Sequence, residues 1–232
     1  MDAQRAGGEV YWSYQGDTGP DRWGGLDPSF SVCDTGVEQS PVDLAGAIPA
    51  AAADGLDIRW QPAEARVADQ GHTVQVEMAG GSSIVLEGRR YSLRQFHFHS
   101  PAEHTVEGGR SPMEAHFVHA AEGGDLAVIA IFMERGESEP NIQRIWEAVP
   151  DAGAASGTLA RFDPRSLLPA ARAYFRYSGS LTTPPCSEAV SWVVMAEPIF
   201  VSQAQLDAFA ALHPLNARPV QPLNGRSIRL HR

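Results

Sequence analysis

Runs of alternating or continuously apolar residues recur along the chain and predict a protein built mainly of β-strands. They occupy residues 56–60, 72–78, 83–87, 90–99, 113–120, 126–133, 172–177 and 189–196, with glycine, proline and aspartate between them. Helical signals are few. Ser202 and Gln205 form a capping box that predicts a helix ending near Leu212, and residues 141–149 predict a shorter one.

The pattern also predicts a single domain that covers residues 1–232. The alanine-rich stretch 45–55 and the stretch 150–157 are interpreted as loops, because strand patterns continue on both sides of each and no repeat divides the chain. Residues 1–8 are expected to form a flexible tail.

Composition and charge exclude several classes of function. All 18 basic residues are arginine, which excludes chemistry that needs a catalytic lysine, such as a Schiff base or a P-loop. The formal net charge of −10 and the absence of a basic run argue against nucleic acid or anionic lipid as a partner. The longest apolar run, residues 126–133, is far shorter than the roughly 20 residues of a membrane-spanning helix.

The two cysteines and the N-terminus bear on where the protein works. Cys33 and Cys186 are too few for a zinc or iron–sulfur site made of cysteines alone, so they form either one disulfide or a pair of inert buried thiols. The first residues lack the apolar core of a signal peptide, which fits either a cytosolic protein or the mature form of a secreted one. The residues alone leave both alternatives open.

Five of the eight histidines lie between positions 97 and 119, and this clustering indicates a metal site. In a strand, Gln95, His97 and His99 point to one face while the phenylalanines between them point to the other. Three neutral imidazoles leave a fourth position of tetrahedral zinc open for water, which is typical of a catalytic site. If a neighbouring strand supplied one further imidazole, such a site would be complete.

Strand parity in residues 113–119 puts His116 and His119 on opposite faces, and it does not choose between them absolutely. We favour His116, because Glu114 shares its face and could orient its second ring nitrogen, as Gln95 could for His97. His104 and His119 are interpreted as ordinary buried histidines.

The chain resembles the α-class carbonic anhydrases, of the bacterial secreted or periplasmic type. The similar segments follow the family's order along nearly the whole chain; they are residues 39–44, 95–99, 103–106, 114–119, 126–132, 178–185, Trp192 and residues 216–219. The resemblance implies a large, twisted, mostly antiparallel sheet. It also implies zinc-dependent, reversible hydration of CO2 to bicarbonate by zinc-bound hydroxide, with zinc held by His97, His99 and His116.

The resemblance further implies a role for each of several other residues. Gln95, Glu114 and the backbone near Asn216 would support the ligands, Glu103 and Thr182 would orient the hydroxide, Thr183 would contact bicarbonate, and His72 would shuttle protons. An apolar wall would receive CO2, and polar residues would order solvent. The wall is Val118, Val128, Leu181, Val190 and Trp192, and the polar residues are Tyr14, Gln70 and Gln75.

Several further expectations come from the same resemblance. Cys33 and Cys186 would form a disulfide, which favours a periplasmic or secreted protein. CO2 and bicarbonate would be the substrates, sulfonamides and anions the inhibitors, esterase activity a side reaction, and a homodimer a possible assembly. The alternative functions are a binding or adhesion domain of the same fold and a zinc hydrolase that acts mainly on esters.

Overall fold

A computed structural model describes residues 10–50, 55–150 and 156–232, and within these ranges thirteen strands form one mixed sheet. The strands are β1 (Ile48–Pro49), β2 (Leu56–Arg59), β3 (Ala63–Asp69), β4 (Val74–Met78), β5 (Ser83–Leu86), β6 (Arg89–His99), β7 (Met113–Ala120), β8 (Leu126–Arg135), β9 (Gly157–Phe162), β10 (Tyr174–Ser180), β11 (Glu188–Met195), β12 (Ile199–Val201) and β13 (Arg229–His231). The α-helices are α1 (Trp23–Leu26), α2 (Val32–Thr35), α3 (Pro140–Glu147) and α4 (Gln203–Leu212). Short 3-10 turns cover Gly16–Thr18, Pro20–Arg22, Pro28–Phe30 and Pro164–Leu167.

The sheet runs in the order β1-β13-β10-β11-β8-β7-β6-β4-β3-β9. Strand β2 joins through β5, which pairs with β6, and β12 pairs with β8. Strand β8 is parallel to β11 and β12, and β1 is parallel to β13, whereas the other pairs are antiparallel. The predicted mainly β fold with a mostly antiparallel sheet is confirmed.

Every predicted strand region contains a strand, but the strand in 72–78 begins only at Val74 because His72 and Thr73 lie in the preceding turn. The pattern missed β3, β9 and the three-residue strands β12 and β13. The inward positions of β3 include Ala65, a residue with a weak strand preference, and a bulge in the β3–β9 pairing disrupts the period of two. The expectation that 45–55 is entirely loop was wrong at β1, whose two residues owe their pairing to β13.

Both faces of the central strands are buried, and each face belongs to a different core. In β8, Ile129 and Ile131 enter the larger core, under α3 and α4, while Val128 and Ala130 enter a second core on the opposite face. Burial on both faces explains why residues 126–133 are continuously apolar instead of alternating. The histidine face of β6 and β7 belongs to the side of the second core.

The two longer helices start where the sequence predicts them. In α4, Ser202 and Gln205 form the predicted capping box. The Gln205 side chain also donates to the backbone oxygen of Glu139, whose own side chain caps α3. The two helices are therefore tied together at their N-termini.

Within the described ranges, no helix is long and apolar enough to cross a membrane. The predicted flexible tail, residues 1–8, lies outside the described residues, as do residues 51–54 and 151–155 of the two predicted loops.

Cys33 and Cys186 form a disulfide that joins α2 to the turn between β10 and β11. Both cysteines pack against the buried Trp23, and the carbonyl oxygen of Cys186 accepts a hydrogen bond from the Gln39 side chain. The disulfide expected from the resemblance is therefore present, and it fixes the turn that carries Thr182 and Thr183.

Removing this disulfide should destabilise the protein, because it closes a loop between residues 153 positions apart. Chain entropy sets an upper value of about 5 kcal/mol for the loss in the free energy of unfolding. We expect Cys33→Ala with Cys186→Ala to lower the urea midpoint strongly. An unchanged midpoint, or two titratable thiols in the oxidised, denatured wild type, would contradict this.

Candidate metal centre and active site

Three histidines converge because β6 and β7 are antiparallel neighbours. The register sets His97 opposite His116 and His99 opposite Glu114. The ring centroids of the three histidines are 4.5–5.5 Å apart. One nitrogen of each ring lies within 4.8 Å of the other two, which is the spacing of ligands around a single ion.

An acceptor holds the other nitrogen of each ring. Nδ1 of His97 lies 2.9 Å from the Gln95 side-chain oxygen, and Nδ1 of His99 lies 2.7 Å from the backbone oxygen of Asn216. Nε2 of His116 lies 3.0 Å from a carboxylate oxygen of Glu114. Because these oxygens accept hydrogen bonds, the facing nitrogens carry the protons, and Nε2, Nε2 and Nδ1 respectively are left as lone-pair donors.

Burial keeps the three rings neutral. It lowers the pKa of His97 well below its usual value, that of His99 to about 4, and that of His116 less strongly. The neighbouring imidazoles lower the pKa of each ring further, while Glu114 opposes the effect. Neutral imidazole is the form that binds a metal, so the site is ready for a cation at neutral pH.

His119 faces the larger core, and both of its nitrogens are occupied. Nε2 accepts from the indole of Trp60 at 3.0 Å, and Nδ1 lies 2.8 Å from the carbonyl oxygen of Phe117. The structure therefore sets His116, and not His119, beside His97 and His99. Parity alone had left that choice open.

Glu114 organises the layer behind the ligands. One of its oxygens accepts from the backbone N–H groups of Glu103 and His104, and the other accepts from the rings of His104 and His116. Burial raises the pKa of Glu114, but the two imidazoles outweigh burial and hold it well below its usual value. Its oxygens already accept four hydrogen bonds.

A second cluster of possible ligands, His104, Glu114 and His116, is a hydrogen-bonded network and not a metal site. Both nitrogens of His104 are engaged, one by Glu114 and one by the Tyr177 hydroxyl at 2.7 Å. The interpretation of His104 as an ordinary buried histidine agrees with these contacts. Of the two clusters found among the described residues, the one formed by His97, His99 and His116 keeps one ring nitrogen of each histidine for a metal.

Glu103 is a fully buried carboxylate next to the ligands. One oxygen accepts from the backbone N–H of Arg218 at 2.7 Å, and the other lies 3.8 Å from Nδ1 of His116. Burial raises the pKa of Glu103 to about 7, against the lowering effects of His116, a Thr182 side-chain hydrogen bond and the Arg218 backbone. Thr182 is buried, and Thr183 beside it is half-buried.

The residues predicted to form the apolar wall lie together in the second core. Val128, Val190 and Trp192 are almost fully buried, and Val118 and Leu181 pack against them. The ring of Trp192 lies 4.9 Å from that of His116, and its indole donates to the backbone oxygen of Ser180. The apolar surface therefore reaches the metal ligands.

A cleft of about 600 Å³ is lined by His72, Tyr14 and Gln70, among other residues. The three histidines do not themselves line it, but His72 lies near enough to His97 and His99 to lower their pKa values. Burial raises the Tyr14 pKa well above its usual value, and the charge of Glu103 adds to the effect. Gln75 pairs with His97 across β4 and β6, and its amide donates to Glu77.

Sequence reasoning missed two residues around this cleft and the side-chain contacts of a third. Trp12 lies against the ring of His72, His213 also lines the cleft, and the side chain of Asn216 donates to the backbone oxygens of His72 and Phe98. The motif around Asn216 was visible, but only its backbone was expected to act. Trp12 and His213 are distant from His72 in sequence and carried no local signal.

The residues present fit zinc. The three free nitrogens are borderline-soft donors of the kind zinc prefers, and buried Nε2 of His99 has no hydrogen-bond partner among the described residues. Three neutral ligands with oriented second nitrogens match a catalytic rather than a structural zinc site.

Comparisons with known proteins agree with this geometry. The family model of the eukaryotic-type carbonic anhydrases matches residues 18–232. A carbonic anhydrase of Pectobacterium atrosepticum is 40% identical over 225 residues, which are 96% of this chain and 92% of the relative. One from Nostoc is 43% identical, with 94% of this chain and 85% of the relative covered.

Among solved structures, the α-carbonic anhydrase of Thermovibrio ammonificans in complex with the inhibitor sulfanilamide superposes with a TM-score of 0.92. It is 43% identical, and the match covers 96% of this chain and all of the other. With a family match over nearly its whole length, the chain belongs to the α-type carbonic anhydrases, zinc-dependent lyases that hydrate CO2.

Proposed function

We propose that His97, His99 and His116 bind one zinc ion and that CO2 is hydrated beside it. The observation that carries the proposal is the convergence of three neutral, oriented nitrogens next to an apolar surface and a buried carboxylate. When bound, zinc lowers the pKa of water to about 7, as is known for this family, and so supplies a hydroxide nucleophile at neutral pH.

Glu103 and Thr182 orient the nucleophile. Glu103 can only accept when ionised, so the Thr182 hydroxyl donates to it and leaves its own oxygen as an acceptor for the proton of the hydroxide. A cation at the three imidazoles would favour the ionised form of Glu103, because an opposite charge nearby lowers a carboxyl pKa. Thr182 would thereby fix the orientation of the nucleophile toward the substrate.

CO2 is held by the apolar wall and by backbone. Val118, Leu181 and Trp192 offer contacts that suit a small linear molecule without charge. The backbone N–H of Thr182 would hold an oxygen of CO2 or bicarbonate, and the Thr183 hydroxyl would contact bicarbonate. Tyr14, Gln70 and Gln75 would order solvent between the zinc and the cleft.

His72 is proposed to carry the proton out of the site. Direct release from a group of pKa about 7 is limited to roughly 10³ s⁻¹, the product of a diffusional rate near 10¹⁰ M⁻¹s⁻¹ and a proton concentration of 10⁻⁷ M. Faster turnover requires an intermediary. The half-buried His72 imidazole lines the cleft, and burial lowers its pKa from the unperturbed value near 6.5 of a group that can both accept and donate a proton.

The same proposal includes expectations about location, inhibitors, side activity and assembly. The disulfide supports a periplasmic or secreted protein, because disulfides persist in oxidising compartments. Sulfonamides are proposed as inhibitors, since a relative with 43% identity was solved with sulfanilamide. Esterase activity would be a side reaction of the same hydroxide. A homodimer stays a prediction from the resemblance, which light scattering would test.

Replacing one ligand should remove the metal. In His116→Ala only two of the three imidazoles remain, so we expect loss of the single zinc, measured by metal analysis, and of CO2 hydration in a stopped-flow assay. His119→Gln, on the same strand but the opposite face, is the matched control and should keep both. Full metal in His116→Ala would refute the ligand set, and zinc without CO2 hydration in the wild type would favour a binding domain.

Changing the orienting residues should separate metal binding from rate. Thr182→Ala and Glu103→Gln should keep zinc but lower kcat/KM for CO2 by about 100-fold, since an oriented hydrogen bond near the reacting atoms is lost. The exposed Thr158→Ala serves as the control and should behave as the wild type. If either active-site variant lost its zinc, the residue would support the metal rather than the nucleophile.

Removing the shuttle should affect turnover alone. We expect His72→Ala to retain zinc and kcat/KM, while kcat in dilute buffer falls by about tenfold or more, because general acid–base groups contribute at least this much. Added imidazole should restore part of the loss. A kcat equal to that of the wild type in dilute buffer would show that protons leave by another route.

A further inference from the structure

His72 shares its cleft with a second imidazole. It sits in the turn between β3 and β4, where the backbone N–H of Gly71 donates to Oδ1 of Asp69 and the backbone N–H of Gln70 donates to the Thr73 carbonyl oxygen. His213 follows α4 directly, and its backbone N–H donates to Phe209. Both histidines line the cleft of about 600 Å³.

Asp69 links the two histidines. Its Oδ1, which accepts from Gly71 in the His72 turn, lies 3.2 Å from Nε2 of His213. The His213 side chain is 6% exposed and the Asp69 side chain 36%, so the pair connects a buried ring in the cleft with solvent. If His213 only packed against Phe209 to support the fold, its ring would need no carboxylate nearby.

His72 is held in a defined position relative to this pair. Asn216 donates to its backbone oxygen at 2.9 Å, and the centroid of the Trp12 ring lies 4.8 Å from that of its own ring. Two contacts therefore restrict the orientation of His72. Asn216 connects it to β6, the strand that carries two of the candidate ligands, and Trp12 connects it to the N-terminal segment.

We propose that His213, paired with Asp69, is a second proton carrier of the cleft that takes the proton from His72 and passes it to solvent. This inference rests on the proposed role of His72. The proton leaves a ring nitrogen of His72 and adds to the unprotonated nitrogen of His213, directly or through water. The Asp69 carboxylate stabilises the resulting imidazolium, which then gives one proton to buffer, and both rings end neutral.

The electrostatics of the two rings suit the transfer of one proton at a time. Burial lowers the pKa of His72 and of His213, and Asp69 raises both. A charge on either imidazole disfavours a charge on the other, so one proton at a time is held by the pair. His72 also lowers the pKa values of His97 and His99, and Tyr11 and Tyr14 line the same cleft.

The test compares His72→Ala, His213→Gln and the double variant by stopped-flow CO2 hydration in dilute buffer. Glutamine keeps the size and polarity of His213 but cannot carry a proton. We expect His213→Gln to keep zinc and kcat/KM and to lower kcat by about threefold or more, the effect of half a pKa unit in driving force. Imidazole should restore kcat, and the double variant should match His72→Ala.

Asp69→Asn provides a second, more exposed change that preserves an acceptor for Gly71. Removing the carboxylate should shift the part of the kcat–pH profile that reports the titration of His72 to lower pH, because Asp69 raises the His72 pKa. His213→Gln should shift it to higher pH, because a charge on His213 lowers that pKa. His231→Gln, on β13, is the control histidine variant and should change neither quantity.

The outcomes separate the two proposals. If His72→Ala lowers kcat and His213→Gln does not, the second carrier is refuted while His72 stands. If His72→Ala has no effect, the shuttle itself is refuted. A kcat of the double variant well below that of His72→Ala would mean two independent routes. A parallel loss of kcat and kcat/KM without rescue by imidazole would mean that His213 only supports the fold. Either result overturns the series transfer.

Discussion

The antiparallel register of β6 with β7 is the constraint on which the site depends. It sets His97 opposite His116 and His99 opposite Glu114, so that three candidate ligands and two of their supporting acceptors come from a single pair of strands. A shift of one residue would turn His116 into the larger core and expose the phenylalanines to the site. The larger core, which buries Phe96, Phe98 and Phe117, therefore holds the metal ligands in register.

The buried charge of Glu114 is tolerated because hydrogen bonds within the site satisfy it. A buried carboxylate is costly unless its oxygens are satisfied, and here two backbone N–H groups and two imidazoles satisfy them. The same hydrogen bonds fix the loop that carries Glu103 and the tautomer of His116. One buried charge thus contacts both a candidate metal ligand and the backbone of Glu103, the carboxylate proposed to accept from Thr182.

Asn216 extends the organisation from the metal ligands to the cleft. Its backbone oxygen accepts from His99, its amide donates to the carbonyl oxygens of Phe98 and His72, and its side-chain oxygen accepts from the backbone of Ser100. The residue that orients a ligand therefore also holds the turn of the proposed proton carrier. The candidate metal site and the proposed proton path therefore share one organising residue.

The sequence by itself determined the main strands, the capping box of α4, the common face of His97 and His99, and, through resemblance, the family. These features depend on a period of two, on spacing, or on motifs that stay local in the chain. The pattern did not predict β3 and β9, because alanine in β3 and a bulge in the β3–β9 pairing obscure the period of two. Only the tertiary structure decided His116 over His119, since that choice depends on which face of β7 meets β6, and only it brought Asn216 and His213 to His72, across more than a hundred residues. Contacts between distant segments depend on how the sheet pairs and packs, and no local pattern encodes them.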